Sequence, residues 1–173
     1  MNIEQIRQKL AYDPERPLSV KESLRPFMVH LSKDYPVALT LTLKQVITEE
    51  RHHGTIIYRI KREDCERVAK RFIQKLNREI FGKSAERHSL GLKYLIVLEG
   101  DGVSKNFHLH MSIGGLPSHV RFNQMDKLVK NAKSHCDGID EQHKVDLTDS
   151  GWNEYIMKEL SKNNTDKILW NLT

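Results

Sequence analysis

Cysteine is scarce in this chain of 173 residues: Cys65 and Cys136 lie far apart, and neither has a closely spaced metal-binding partner. That argues against a disulfide and for two ordinary reduced thiols. No apolar run approaches the roughly 20 residues needed to span a bilayer, so no membrane partner is expected. The start, Met1-Asn2-Ile3-Glu4-Gln5, has neither the basic end nor the apolar centre of a secretory signal, and a cytoplasmic setting is expected. Internal repeats, low-complexity tracts and long linkers are also missing. The length allows one domain around one core and is too short for two ordinary ones. With 38% hydrophobic and 29% charged residues, that domain should carry a well-solvated surface. A formal net charge of +5 and a pI of about 9.2 favour a polyanionic partner, though only moderately.

Along the chain, residues 2–10 and 24–32 read as short helices, the first stopped by Asp13-Pro14 and Arg16-Pro17. From Pro36 the pattern changes. Val37 to Leu43 places apolar residues at odd positions and Thr40 and Thr42 between them, as a half-buried strand should. Thr55 to Ile60 is a second strand after the turn-like His52-His53-Gly54. Residues 63–81 give the clearest helix: Val68, Phe72, Leu76 and Ile80 recur every four residues, widened by Ala69 and Ile73, and Gly82 is placed to end it. Its Arg67, Lys70, Arg71, Lys75 and Arg78 read first as a solvated face and second as a DNA contact.

Two apolar runs follow, Leu92–Glu99 and Asn106–Ile113, and the intervening Gly100-Asp101-Gly102 predicts an antiparallel hairpin. Residues 122–132 look helical, 144–147 look like a short strand, and Asp149 or Ser150 could cap a helix from about Trp152 to Leu160. The sum is an α+β fold: an antiparallel sheet with helices on one face and the other face partly open.

His108-Leu109-His110 lies in the second run, and strand alternation puts both imidazoles on one face. A His-x-His pair is weak evidence in a chain with nine histidines. Glu99 strengthens it, because hairpin pairing brings the end of the first run beside the start of the second. Two imidazoles and a carboxylate with open positions suit Mn²⁺ or Mg²⁺. Tyr155 and Lys158 share a helix face, while Trp152, Ile156 and Leu160 form the face that would pack on the core. A tyrosine hydroxyl, with its pKa near 10, becomes a nucleophile only when its anion is stabilised, and a nearby ammonium does that. Taken singly, each of these residues has a plainer reading: a satisfied histidine, a strand-end carboxylate, a packing tyrosine, a solvated lysine.

Together the residues resemble the HUH endonucleases, and among them the single-tyrosine rolling-circle replication initiators. Three motifs stand in that family's order: Ala38-Leu39-Thr40-Leu41-Thr42, then His108-Leu109-His110 with Glu99 upstream, then Tyr155-Ile156-Met157-Lys158. The matching region runs from about residue 36 to 162. The resemblance implies a nuclease domain over 36–173; residues 1–35 are expected to form a helical extension packed on it. It also implies a ferredoxin-like central antiparallel sheet of about five strands with the histidines on a middle strand. By the same implication His108, His110 and Glu99 are metal ligands, Tyr155 takes the 5′-phosphate covalently, and Lys158 supports it. The expected partner is single-stranded DNA or an origin hairpin. With no Gly-rich phosphate-binding lysine loop in the chain, two readings stay open: a nuclease domain alone, or one that borrows a host helicase as a partner. Residues 1–35 and 44–62 have no counterpart in the family pattern and are candidates for DNA recognition. Two alternatives stay open: a single-strand transposase with the same chemistry, and a non-catalytic nucleic-acid-binding module that stacks bases on Tyr58 or Phe107.

Overall fold

The structure, a computed structural model, describes residues 33–160 and 167–172. The helices expected at 2–10 and 24–32, and with them nearly all of the 1–35 extension, lie outside the described residues. In chain order the elements are β1 (Val37–Leu43), β2 (Val46–Arg51), β3 (Gly54–Arg59), α1 (Arg62–Phe81), α2 (Ser84–Arg87), β4 (Lys93–Glu99) and β5 (His108–Gly114). They continue with a 3-10 turn at Phe122–Gln124, α3 (Met125–Lys133), β6 (Ile139–Leu147), α4 (Ser150–Leu160) and a 3-10 turn at Trp170–Leu172. The central sheet is antiparallel, in the order β4-β5-β1-β6, and β2 and β3 pair with each other as a separate ribbon. The α+β class and the central antiparallel sheet are as expected, with the histidine strand in the interior of the sheet. The sheet holds four strands, and the other two are set apart.

One face of the sheet makes the core. Val37, Leu39, Leu41 and Leu43 of β1 and Leu109, Met111 and Ile113 of β5 pack against Phe72 and Leu76 of α1 and Met125 and Val129 of α3. Burying each large side chain contributes about 1.5–3 kcal/mol. The apolar stripe of α1 runs Cys65, Ala69, Phe72, Leu76, Ile80, with Val68 and Ile73 half-buried at its margins. Its outer cations are solvated: Arg78 meets Glu86 at 3.5 Å and Arg71 meets Asp137 at 4.0 Å, exposed pairs worth little. Gly82 ends the helix at φ 60°, its N–H donating to the Arg78 carbonyl at 2.8 Å.

Two strands outrun the sequence pattern. β6 begins at Ile139 rather than 144, because Asp140 to Lys144 is polar and is held as strand by its backbone pairing with β1. Edge strands commonly carry such charge. β2 has no apolar run of its own and is defined by β3 across the His52-His53 turn. Both cysteines are free and buried, and burial pushes the Cys65 thiol up to about 12 and Cys136 upward, so both stay protonated thiols. Among the described residues no helix is long and apolar enough to cross a membrane.

Among the described residues, the other face of the sheet is only partly covered. Ile156 of α4 and Ile168 pack on Leu95 and Val97 of β4, flanked by Tyr35 and Trp152. The remainder of that face holds the polar residues of β1 and β5.

Candidate active site

Strand alternation delivers the site. On β5, His108, His110 and Ser112 point away from the core, while Leu109, Met111 and Ile113 point into it. The register sets Thr40 of β1 opposite His110 and Thr42 opposite His108. On the other side Glu99 of β4 stands opposite His108, one diagonal step from His110. Lys144 of β6, opposite Thr40, extends the same row to the sheet edge; its hydrogen bond with Asp146 raises its pKa further and keeps it charged.

His110 is the hub. Its Nε2 lies 2.8 Å from Glu99 Oε2, and its Nδ1 lies 3.1 Å from Thr40 Oγ1. The Tyr155 hydroxyl donates to that same Glu99 oxygen at 3.1 Å, and its ring stands edge-on to the imidazole at 5.1 Å between centroids. Tyr155 is nonetheless 44% exposed, so the phenol is open to a substrate. Trp152 holds this arrangement: it stacks on Tyr155 at 6.1 Å, meets His110 edge-on at 5.8 Å, and donates Nε1–H to Ser112 Oγ at 3.0 Å. Asp149 caps α4 by accepting the Trp152 backbone N–H at 2.6 Å, which fixes where the tyrosine helix starts. Lys158 follows Tyr155 one turn later on α4; its side chain lies outside the described residues.

The connection from Glu99 to His108 is a loop, residues 100–107, rather than a tight turn. Gly100 adopts φ 96°, and a Cβ there would stand 2.3 Å from the Asn106 carbonyl oxygen, so the loop closes only over glycine. Asp101 then accepts the backbone N–H groups of Val103, Ser104 and Lys105 and the Ser104 hydroxyl. The Ser104 hydroxyl and those amides hold the Asp101 carboxyl well below the usual carboxylate range. The ordered loop gives Ser104, Lys105 and Asn106 to one wall of a cleft of about 560 Å³, whose other lining includes Thr40, Glu99, His108, His110 and Tyr155. A second cleft of about 500 Å³, between the ribbon and α1, is lined by Tyr58, Arg67 and Arg71 and contains none of Glu99, His108, His110 and Tyr155.

The donor set fits a divalent ion in chemistry and, for two ligands, in spacing. Two donors about 2.1 Å from one ion and at right angles to it lie about 3 Å apart. The His110–Glu99 separation of 2.8 Å matches that. His108 donates Nδ1–H to the Asn106 carbonyl at 2.8 Å, which leaves its lone pair on Nε2, the arrangement of a ligand with a backbone orienter. Its ring centroid is 6.4 Å from that of His110, whereas two imidazoles at right angles on one ion would be about 4.5 Å apart. Among the described residues no trio of histidine, cysteine, aspartate or glutamate is gathered at ligand distances, and His108 is the member that stands apart.

The structure thus brings Glu99, His108, His110 and Tyr155 into one cleft. Thr40 and Trp152 were not expected there as functional residues. Thr40 was detectable, since the alternation that pairs the histidines also puts it on their face; Trp152 read only as packing. Of the two aromatics that a base-stacking module would use, Phe107 is buried in the core and the Tyr58 hydroxyl is tied to Asp64 at 3.2 Å. Comparison with known protein families, curated proteins and solved structures found no match. What the site does is therefore argued from its own chemistry.

Proposed function

We propose that this protein nicks and rejoins single-stranded DNA through a covalent phosphotyrosine on Tyr155, and that it initiates rolling-circle replication of a plasmid or phage. The observation that carries the reading is the run of contacts from an exposed phenol, through one carboxylate oxygen, to a buried imidazole, at the wall of an open polar cleft. A core tyrosine would not be 44% exposed, and a structural His–Glu pair would not need a phenol above it.

Tyr155 Oη attacks the scissile phosphorus in line, forming the phenolic P–O bond as the P–O3′ bond breaks. The phenolic O–H already points at Glu99, and that carboxylate takes the proton as the P–O bond forms. The departing 3′-oxygen takes a proton from water and becomes a free hydroxyl. Lys158, one turn from Tyr155, would add positive charge beside the phenolate and the phosphate. His108, His110 and Glu99 would hold Mn²⁺ or Mg²⁺, which when bound polarises the non-bridging phosphate oxygens. Because the bond energy stays in the phosphotyrosine, the 3′-hydroxyl can attack it again and rejoin the strand without ATP. A host helicase would supply the single-stranded template.

The test is incubation with labelled single-stranded oligonucleotides covering candidate origin hairpins, with Mn²⁺ or with chelator. The expected product is a denaturant-resistant adduct that requires metal and disappears in Tyr155→Phe while DNA binding persists. An adduct retained by Tyr155→Phe places the nucleophile elsewhere and ends this reading.

A further inference from the structure

The β2–β3 ribbon lies outside the chemistry just described, and its two faces differ. The inner face carries Ile47, Glu49 and Tyr58, half-buried, and the exposed Ile56; it closes the second cleft against α1, with Thr48 and Glu50 of the other face at the rim. The outer face carries three cross-strand pairs, Val46–Arg59, Thr48–Ile57 and Glu50–Thr55, and all six side chains are exposed, Ile57 at 68% and Val46 at 53%.

The ribbon's root lies beside the cleft. Leu43, at the end of β1, donates its N–H to Phe107 at the end of the cleft loop, and Ile60 closes the ribbon by donating to Gln45. The Arg59 guanidinium reaches the Val103 carbonyl at 3.5 Å, in the loop that supplies Ser104 and Lys105 to the cleft. Exposed cations gather at this root: Lys44, Arg59, Lys61 and Lys105. The one acid of the outer face, Glu50, pairs near the opposite end, by the turn.

From this we infer that the outer face of the ribbon enters the major groove of duplex DNA flanking the nicking cleft and reads its sequence. Two strands about 4.8 Å apart, with their side chains, fill a groove about 12 Å wide. The outward side chains are those that discriminate base edges. Arg59 can donate to guanine, Glu50 can accept from cytosine, the threonine hydroxyls serve either, and Ile57 and Val46 offer methyls to thymine. Lys44 and Lys61, at the root, are placed for phosphates. The choice of DNA over another polyanion rests on the nicking reading; the readout does not.

The experiment exposes the full chain to a library of randomised DNA duplexes with single-stranded tails, selects bound molecules, and measures affinity from 50 to 200 mM salt. The expected result is enrichment of a three- or four-base-pair motif. Arg59→Ala should relax one position of it and weaken binding about tenfold. Lys44→Ala should weaken all sequences alike and lower the salt slope by about one. Thr48→Ala and Ile57→Ser, both at exposed positions, should shift the motif with unchanged circular dichroism and melting temperature. The inference is overturned by absence of enrichment, by a motif indifferent to all these variants, or by A-form RNA duplex competing as well as DNA. Tyr155 adduct formation on a single-stranded oligonucleotide is scored separately. An adduct without enrichment overturns the ribbon's role alone, and enrichment without an adduct overturns nicking alone.

Discussion

The two faces of β5 share one backbone and have opposite tasks. Leu109, Met111 and Ile113 are fully buried and join helices α1 and α3 to the sheet. His108 and His110, one residue out of phase, line an open cleft with Glu99 and Tyr155. Thr40 and Leu39 repeat the contrast on β1. A period of two therefore writes stability and chemistry into the same strands without mixing them, and a slip of one residue would exchange them. The two faces should be separable by mutation.

The largest effects should fall on opposite readouts. Tyr155→Phe should lower adduct formation by about 10³-fold or more while shifting stability by less than about 0.5 kcal/mol, because the hydroxyl lies at an exposed position. Leu109→Ala should destabilise by about 2–5 kcal/mol, read from denaturant midpoints, with the adduct rate per folded molecule unchanged. If Leu109→Ala abolished the chemistry in molecules still folded, the two faces would not be independent. Next in size is Thr40→Val, which keeps the strand and removes the hydrogen bond to His110 Nδ1. The Mn²⁺ concentration needed for half-maximal adduct should rise about 10–100-fold, with Thr40→Ser close to wild type. An unchanged Mn²⁺ requirement would make Thr40 a packing residue only.

The elements that the sequence made legible are those whose side chains had to choose a side. β1, α1, β5 and α4 set apolar residues on one face, so period two or period 3.6 is written in their sequence; β4, buried on both faces, shows instead as the unbroken apolar run Tyr94–Leu98, and Asp149 marks the start of α4. β2 and the first half of β6 hide little side-chain surface and are held by backbone pairing, which leaves no pattern to read. The same reasoning applies inside the site. Glu99, His108, His110 and Tyr155 were visible through their order and spacing, since each alone has a plainer reading. Trp152 was hidden because stacking on Tyr155 and packing on Ile156's face call for the same residue type. The order of the 100–107 loop was not legible, because it rests on Asp101, whose three amide contacts depend on the loop's geometry.

Smaller effects should come from the parts that aim the site rather than compose it. Asp149→Ala removes the α4 cap and should cost about 1 kcal/mol, with adduct formation falling several-fold because Tyr155 and Trp152 ride on that helix. Asparagine, which can also cap, should restore both; if it restores neither, the carboxylate has a role beyond the helix end.

The smallest effect is a pH signature confined to the cleft loop. The Asp101 carboxyl is held below its ordinary range by the Ser104 hydroxyl and the loop amides, so its folded value is depressed relative to an unfolded value near 3.9. A depressed acid stabilises the folded form above the unfolded value and loses that contribution as pH falls through the folded one. The loop should thus stay ordered from neutral pH to below the usual carboxylate range, then loosen. Amide exchange at Val103, Ser104 and Lys105, corrected for intrinsic rates, should show protection that is flat from pH 7 to about 4 and declines only in stronger acid. Asp101→Ala should remove most of that protection at every pH and lower adduct yield modestly, since Lys105 and Asn106 would no longer be held at the cleft wall. The core-face amides of Leu109 and Met111 should not respond to either change. Protection lost at β5 together with the loop would mean that the chemistry-bearing face and the core face unfold as one, and the separation drawn from their alternation would fail.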